Sequence, residues 1–289
     1  MKFIGYIFIR IGVIALAITP FWLMYLISDG LYFLLRHLIG YRRKVVKANL
    51  EKVFPEKNEQ EINLLISQFY HNLCDILLEG IKGLSMSESD FRKRYVFSNT
   101  EIADKYHRDG KNTILTGAHI TNWEWMVISV NLWFDAQLVG IYKPISNPFV
   151  EAYLNKKRAK FGLQLASPKE TRAALSKDSS HSKMFILLAD QSPSNLESAH
   201  WLPFFGQETA WLHGVDSIAR AYDYPVFYYN ITRIKRGYYT ITLEPICLEP
   251  VKTHPQEITK MYIQHISNEL VKQPSNWLWS HKRWKHSRN

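Results

Sequence analysis

The stretch Thr113-Ile-Leu-Thr-Gly-Ala-His-Ile-Thr-Asn-Trp-Glu-Trp125 joins a short apolar run to a segment of helical character, with a histidine at the junction. Residues 113–116 are apolar or β-branched and uncharged, which predicts a buried strand that a Gly-Ala pair closes. Residues 122–131 are rich in aromatic side chains and predict a helix. His119 would then lie at the carboxyl end of a strand, where open α/β sheets bind their ligands.

Outward from this stretch, strand-like and helix-like segments alternate along the chain. This alternation is typical of an α/β fold in which a mostly parallel sheet is flanked by helices. The predicted strands are 95–97, 113–117, 137–142, 163–165, 184–189, 225–232 and 238–246. The predicted helices are 59–81, 100–108, 122–133, 148–160, 169–177 and 211–223, and residues 195–207 are predicted to form a long loop.

Composition narrows the range of partners. The chain has 289 residues, enough for one large α/β domain, and its 36 Lys and Arg against 26 Asp and Glu give a formal net charge of +10. This balance favours anionic partners, among them phospholipid, phosphorylated glycolipid, an acidic carrier protein and nucleic acid. Cys74 and Cys247 have neither the spacing of metal ligands nor that of a disulfide framework, so both are predicted to be free thiols.

The N-terminal region is apolar and then basic. Residues 11–27 are uncharged and mostly apolar, which predicts a hydrophobic membrane-anchor helix at the short limit for crossing a bilayer, with a buried helix as the alternative. The segment Tyr41-Arg-Arg-Lys-Val-Val-Lys47 predicts contact with anionic headgroups. Positive charge after an anchor keeps the remainder of the chain cytoplasmic. We therefore divide the chain into an anchor over 1–40 and an α/β domain over 41–289.

The spacing of His119 and Glu124 allows two interpretations of the glutamate. On one continuous helix their side chains would diverge by roughly 140°, so they meet only if the chain turns between them. A strand-to-helix turn provides this, and the pair would then be a base oriented by an acid. Alternatively, Thr121-Asn-Trp-Glu124 is a capping box, in which Glu124 bonds back to the N–H of Thr121.

His119-Ile-Thr-Asn-Trp-Glu124 resembles the His-x4-Asp/Glu motif of glycerolipid acyltransferases, and in particular the His-Phe-Gly-Asn-Trp-Glu form of the lipid A biosynthesis acyltransferase family. Ala118 stands where that family often has Gly, and Thr121 replaces the second Gly. Further blocks resemble the family in the same order, so that the resemblance runs from about residue 42 to 285. These blocks are Tyr142-Lys143-Pro144 with Asn147-Pro148 and Arg158-x3-Gly162, Asp190-Gln191 with Pro203-Phe-Phe-Gly206 and Ala210, and Trp279-x-His281-x-Arg283-Trp284-Lys285.

The resemblance implies a catalytic dyad of His119 and Glu124, in which the histidine takes a proton from an acceptor hydroxyl. From the residues alone, Asp190 is as well explained as a helix or loop cap, and the alternative for the aromatic side chains after it is that they fill the core. Neither a metal nor a cofactor is expected. The candidates for binding substrate or an oxyanion are Arg158, Lys143, Asn122, Asp190 and Gln191. The candidates for lining an acyl channel are Trp123, Trp201, Phe204 and Phe205.

The activity implied by the resemblance is transfer of a fatty acyl group from an acyl carrier protein thioester to a hydroxyl of a lipid A precursor. The partners would be the carrier protein, an anionic glycolipid acceptor and the membrane, without nucleic acid, at the cytoplasmic face of the cell inner membrane. Two alternatives stay open. One is an acyltransferase of the same fold acting on a lysophospholipid, an aminolipid or a glycosylated phosphoinositide. The other is a non-catalytic protein that binds anionic membranes or nucleic acid through its charge and Trp-rich tail.

Overall fold

A central sheet organises the part of the chain that the computed structural model describes, residues 2–177 and 179–288. Its strands are β1 Tyr95–Phe97, β2 Thr113–Gly117, β3 Gln137–Ile141, β4 Gln164–Ala166, β5 Lys183–Leu188, β8 Val226–Lys235 and β9 Tyr238–Cys247. They are arranged in the order β1, β9, β8, β2, β5, β3, β4. Neighbouring strands run parallel except β8 and β9, which form an antiparallel hairpin. The mostly parallel α/β sheet predicted from the sequence is therefore confirmed.

Strand β2 lies in the middle of this sheet, and all of its residues are buried. Ile114 packs in the core on one face and Leu115 in the core on the other, because successive side chains of a strand point to opposite faces. Coverage of both faces explains why β2 is a continuous apolar run rather than an alternating one. Gly117 ends the strand, and a Cβ at this position would collide with the ring of Tyr229.

Helices cover both faces of the sheet. Their bounds are α3 Arg43–Val53, α4 Glu59–Gly83, α5 Glu88–Arg94, α6 Glu101–Arg108, α7 Trp123–Ser129, α8 Pro148–Arg158, α9 Thr171–Ser176, α10 Gly214–Tyr222 and α11 Glu257–Lys272. Residues of α3, α4, α10 and α11 belong to the core on one face, and residues of α5, α6 and α7 belong to the core on the other.

The segment predicted as a long loop instead contains a hairpin. Strands β6 (His200–Phe204) and β7 (Gln207–Trp211) pair antiparallel and form a separate two-stranded sheet. The two residues between them, Phe205 and Gly206, have φ angles of 47° and 72°. Positive φ at both central positions matches the right-handed twist of paired strands. Phe-Gly is not one of the strong hairpin signals, which is why the sequence pattern missed this turn.

The expected membrane-anchor helix is not found among the residues that the structure describes. The apolar run is divided into α1 (Lys2–Ile18) and α2 (Phe21–Phe33), with Pro20 between them. Proline lacks the N–H that would continue a helix and disfavours helical backbone in the residue before it. In the described part of the chain, no helix combines the length and the apolar character needed to cross a bilayer. The prediction of one such helix over residues 11–27 was therefore wrong.

Helices α1 and α2 are held against α4 by buried polar contacts. The hydroxyl of Ser28 donates to Asp75 at 2.7 Å, and that of Tyr25 donates to Glu79 at 2.7 Å. The ammonium group of Lys82 donates to the carbonyl oxygens of Leu16 at 2.9 Å and Thr19 at 2.7 Å, so it satisfies carbonyl groups at the end of α1. The same two helices leave large apolar side chains exposed, including Phe8, Ile18 and Trp22.

Candidate active site

The turn after β2 brings His119 to the carboxyl edge of the sheet in a strained conformation. Thr121 has a φ angle of 54°, which is unusual for a β-branched residue and costs on the order of 1–3 kcal/mol. Its N–H donates to the carbonyl of Asn276 at 2.9 Å, and its hydroxyl donates to the carbonyl of Ile231 at 3.3 Å. These contacts hold the chain at the position where the family resemblance expects glycine.

Helix α7 is capped by Asn122, so the capping-box interpretation was wrong. The side-chain oxygen of Asn122 accepts from the N–H of Trp125 at 3.0 Å, and its amide donates to Glu79 at 2.6 Å. Because the helix begins one residue later than expected, Glu124 is not at the N3 position that a capping box requires. Asn122 is fully buried with both ends of its amide engaged, which favours a structural role over the expected substrate contact.

His119 is bonded to Asp190, which follows β5. His119 Nδ1 lies 2.7 Å from Asp190 Oδ1, and the backbone N–H of His119 donates to Oδ2 at 2.9 Å. The indole of Trp277 donates to the same Oδ2 at 2.9 Å. Strands β2 and β5 are parallel neighbours, so their carboxyl ends meet at one edge of the sheet. The carboxylate that orients the imidazole is therefore Asp190.

The two groups shift each other's pKa values in opposite directions. Burial lowers the pKa of His119, but the charge and hydrogen bond of Asp190, together with the charge of Glu124, outweigh it and raise that pKa above its ordinary value. Burial raises the pKa of Asp190, but the charge of His119 and the hydrogen bonds from His119 and Trp277 lower it to about 2. Asp190 is thus ionised across the physiological pH range and favours a protonated imidazole.

The second ring nitrogen of His119, Nε2, lies beside Gln191. With Nδ1–H donating to Asp190, Nε2 carries the lone pair, and the side-chain nitrogen of Gln191 lies 3.3 Å from it. The ring of Trp123 packs edge-on against the imidazole with centroids 5.3 Å apart. About a fifth of the histidine side chain, 21%, is exposed. Nε2 is therefore the atom that can accept a proton from a bound hydroxyl.

Glu124 pairs with Arg158 rather than with the histidine. The guanidinium of Arg158, at the end of α8, lies 3.1 Å from Glu124 Oε2. Among the described residues, no hydrogen bond joins Glu124 to His119, although the glutamate is close enough for its charge to raise the histidine pKa. The Nε hydrogen of Arg158 is buried and lacks a partner within the described residues. In the described part of the chain, His119 is thus bonded to Asp190 and Glu124 to Arg158, and the dyad expected from the motif stays a prediction.

The remaining candidates are divided between the site and the core. Lys143 is exposed in the loop after β3, and Trp201 is half-buried on β6. Phe204 is 1% exposed and packs against Trp211 and Trp277, which makes it part of the core. Phe205 is half-buried in the hairpin turn. Among the candidates for an acyl channel, Trp123 is the one in contact with His119.

Residues 276–278 also support the turn, a contribution that the sequence did not indicate. The N–H of Leu278 donates to the carbonyl of His119 at 3.0 Å, and Ile120 and Trp277 form an isolated antiparallel bridge. This segment supports the turn from outside the central sheet and supplies the Trp277 contact to Asp190. The family-like closing block begins at Trp279, just after these residues. The alternating Trp-Leu-Trp pattern was the available signal for an extended segment here.

A histidine whose Nδ1 is held by a buried carboxylate, at the carboxyl edge of an α/β sheet and beside an arginine, is typical of enzymes that activate a hydroxyl nucleophile. Comparison with known proteins narrows this class. The chain belongs to the bacterial lipid A biosynthesis acyltransferase family, whose model matches residues 2–286.

Two relatives show the extent of the similarity. The lipid A biosynthesis lauroyltransferase of Escherichia coli strain K12 is 24% identical over 289 residues, covering 95% of this chain and 90% of that protein. A lipid A biosynthesis acyltransferase of Haemophilus influenzae is 22% identical over 272 residues, covering 91% of this chain and 82% of that protein. The similarity therefore extends over nearly the whole length of each protein.

Proposed function

We propose that this protein is a membrane-associated O-acyltransferase that moves a fatty acyl group from an acyl carrier protein thioester to a hydroxyl of a lipid A precursor. The observation that carries the proposal is the pairing of His119 Nδ1 with buried Asp190, which leaves Nε2 as a base. Membership of the lipid A biosynthesis acyltransferase family supports the reaction class and the acceptor.

In this mechanism Nε2 of His119 takes the proton of the acceptor hydroxyl as the oxygen attacks the thioester carbonyl. The C–O bond forms and the carbonyl oxygen becomes an oxyanion. Collapse of this intermediate breaks the C–S bond, and the imidazolium returns its proton to the leaving thiolate. Asp190 stabilises the imidazolium between these steps. Such acid–base assistance contributes about 10²- to 10⁴-fold in rate.

Arg158 would stabilise the oxyanion, and Glu124 would hold Arg158 in place. The Arg158 side chain is 17% exposed, and an oxyanion is a suitable acceptor for the guanidinium N–H groups that Glu124 does not engage. Glu124 then acts in two ways, by orienting the arginine and by favouring the imidazolium through its charge. This assignment keeps Glu124 in the site without a direct bond to His119.

Direct transfer is favoured over an acyl-enzyme. In the described residues, no Ser, Thr or Cys side chain hydrogen-bonds to His119, so the histidine has no activated nucleophile beside it. Cys74 is buried, and burial raises the pKa of its thiol to about 12. A single attack by the acceptor hydroxyl therefore suits the site.

The surface of the protein offers groups that suit a membrane and an acyl donor. The apolar side chains exposed on α1 and α2 suit a lipid surface, and the basic segment 42–47 lines an open concavity of about 580 Å³ that suits anionic headgroups. The net positive charge would steer an acidic carrier protein to the enzyme. The proposed location is the cytoplasmic face of the inner membrane, where carrier and acceptor meet.

The test is acyl transfer by the purified protein in detergent, followed by mass spectrometry of the product. Acyl carrier protein thioester and a lipid A precursor should give the acylated lipid, and His119→Ala should abolish most of this product. A panel of lysophospholipid, aminolipid and glycosylated phosphoinositide acceptors tests the alternative substrates. Transfer by His119→Ala at the wild-type rate would refute the mechanism, and transfer to a panel lipid in preference to the lipid A precursor would refute the acceptor.

A further inference from the structure

A cavity of about 560 Å³ opens between α4, the β8–β9 turn and the segment after α11. Every residue that lines it is polar or charged, and we call it the polar pocket. Its members include Gln68 and Asn72 of α4, Arg233 and Arg236 of the hairpin, and Asn276. A concave surface with this lining differs from the apolar pockets that bind hydrocarbon, and it offers hydrogen-bond donors and acceptors in quantity.

The charges in the polar pocket are already paired. Asp75 is 1% exposed and accepts hydrogen bonds from both Arg233 and Arg236, and Arg236 also donates to Asp29 at 2.5 Å. Two guanidinium groups therefore face two carboxylates. A phosphate would have to compete with these carboxylates for the same donors, whereas an uncharged ligand would not. This pairing favours a neutral, hydroxyl-rich ligand over an anion.

The amide groups in the pocket are held in fixed positions. The side-chain amide of Asn72 donates to the oxygen of Asn276 at 2.6 Å, and the amide of Asn276 donates to Gln273 at 2.8 Å. Groups that are ordered before binding lose little conformational entropy when a ligand arrives. Gln68 is different, because its side chain makes no hydrogen bond within the described residues and is exposed at the pocket wall. Its amide is free to bind.

The polar pocket adjoins the active-site turn. The backbone carbonyl of Asn276, a pocket residue, accepts the N–H of Thr121, which follows His119 by two positions. Arg233 lies near the carboxyl end of β8, and β8 is the parallel neighbour of β2, so the pocket opens at the same edge of the sheet as the base. The pocket and the turn that carries His119 thus share Asn276, which contacts both.

An apolar surface borders the pocket on the opposite side. Asp29 and Tyr32 of α2 contact pocket residues, with the ring of Tyr32 centred 4.6 Å from that of His71. The same helix exposes Leu26, Ile27 and Phe33, which are 58%, 46% and 58% exposed. A polar cavity beside an apolar helix face suits an amphiphile, with its headgroup in the cavity and its hydrocarbon along the helix.

We propose that the polar pocket binds the sugar ring of the glycolipid acceptor and positions it for attack at His119. This proposal rests on the proposed acyl transfer and adds the location of the acceptor headgroup. The pocket recognises sugar hydroxyls through amide, carboxylate and guanidinium groups. The proposal assigns the pocket to the acceptor, so changes in the pocket are expected to affect binding of the acceptor and not of the donor thioester.

Gln68 offers a test that leaves the paired charges intact. Gln68→Leu removes the free amide, and Gln68→Trp also fills part of the cavity. We expect the KM for the glycolipid acceptor to rise about threefold in the first and at least tenfold in the second, with the KM for the acyl donor unchanged. Gln264→Trp is the matched control, because Gln264 is exposed on α11 and outside the pocket. Wild-type acceptor KM in both Gln68 variants would overturn the proposal.

Direct binding separates this proposal from the proposed function. Titration of the protein with a soluble glucosamine disaccharide lacking acyl chains should give saturable binding that Gln68→Trp weakens and Gln264→Trp does not. If inorganic phosphate binds at this site and the sugar does not, the pocket is an anion site and the proposal is wrong. A wild-type protein that binds the sugar but transfers no acyl group would refute the acyltransferase function while supporting the pocket.

Discussion

Asp190 connects His119 with Trp277, a connection that none of the sequence motifs predicted. Its two oxygens accept from the ring and the backbone of His119 and from the indole of Trp277. An amide in its place would turn its NH₂ group toward at least one of these donors and would remove the charge that stabilises the imidazolium. We expect Asp190→Asn to lower kcat by about 10²- to 10⁴-fold.

Glu124→Gln should have a smaller effect than Asp190→Asn, because Glu124 reaches the histidine through its charge and through Arg158. The measurement is the initial rate of acyl transfer alongside the melting temperature of both variants, which separates loss of chemistry from loss of folding. If Glu124→Gln costs more activity than Asp190→Asn while both remain folded, the direct dyad expected from the sequence is restored.

The pH dependence of acyl transfer is expected to arise from His119 and Asp190. His119 acts as a base when neutral, so kcat/KM should rise with pH through the pKa of the imidazole. Since Asp190 and Glu124 raise that pKa above 6.5, the midpoint should lie above pH 6.5. Asp190→Asn removes the main upward influence and should move the midpoint to lower pH. A pH profile of kcat/KM for the two proteins tests this, and an unchanged midpoint would exclude His119 as the titrating group.

At this scale the sequence predicted the position of His119 but not the carboxylate bonded to it. The apolar run ending before His119 was enough to place the histidine at the end of a strand. Asp190 was recognised as a candidate because it also follows a strand, yet nothing in its local sequence indicates which strand lies next to which. The pairing of β2 with β5 decided the partner. Thr121 was noted as a departure from glycine, and its positive φ angle was not predictable from a threonine.

At the scale of the elements, the contact between α2 and α4 can be tested through Ser28 and Asp75. Ser28 is fully buried and donates to Asp75, so Ser28→Ala leaves a buried carboxylate with one donor fewer. The expected cost is about 1–3 kcal/mol of unfolding free energy. Ser176→Ala on α9 is the control, because Ser176 is exposed. Thermal unfolding of both variants gives the comparison, and equal melting temperatures would mean that this contact contributes little.

The strands of the central sheet were predicted closely. The predictions of a membrane anchor and of a long loop were wrong, for separate reasons. Each predicted strand lies within three residues of an observed one at either end, because buried parallel strands have a clear apolar signal. The anchor prediction was wrong because Pro20 splits an apolar run whose composition suits one long helix. The hairpin within 195–207 was not predicted because Phe205 adopts a positive φ angle, a conformation that its side chain disfavours.

For the whole molecule, the exposed apolar side chains of α1 and α2 are predicted to control membrane binding. Phe8 is 69% exposed, and Phe8→Glu would place a charge where an apolar group meets lipid. Burial of such a side chain contributes about 1.5–3 kcal/mol, so partitioning to anionic vesicles should fall at least tenfold. Val251→Glu is the control, since Val251 is 61% exposed outside these helices. Vesicle sedimentation at high salt measures the apolar contribution, and equal partitioning of the two variants would contradict the assignment.

Charge and length limit the size of the domain and the kind of partner expected, but they do not show which surface a partner would contact. A net charge of +10 predicted anionic partners without indicating a surface. The structure distributes the relevant groups over separate places, with apolar groups on α1 and α2, cations along residues 42–47 and paired charges in the polar pocket. Sequence alone could not give this arrangement, because it depends on how α2 packs on α4.

The contacts around Asp190 also bear on how the enzyme acquires its activity during folding. His119 and Asp190 are 71 positions apart, and Asp190 and Trp277 are 87 apart. Contacts of such sequence separation form late, because long loops must close before they are made. A refolding chain should therefore regain its helical signal before it regains turnover. Recovered acyl transfer reports completion of the fold, and a nascent chain synthesised only as far as Asp190 has the histidine and its carboxylate but lacks the tryptophan that fixes them.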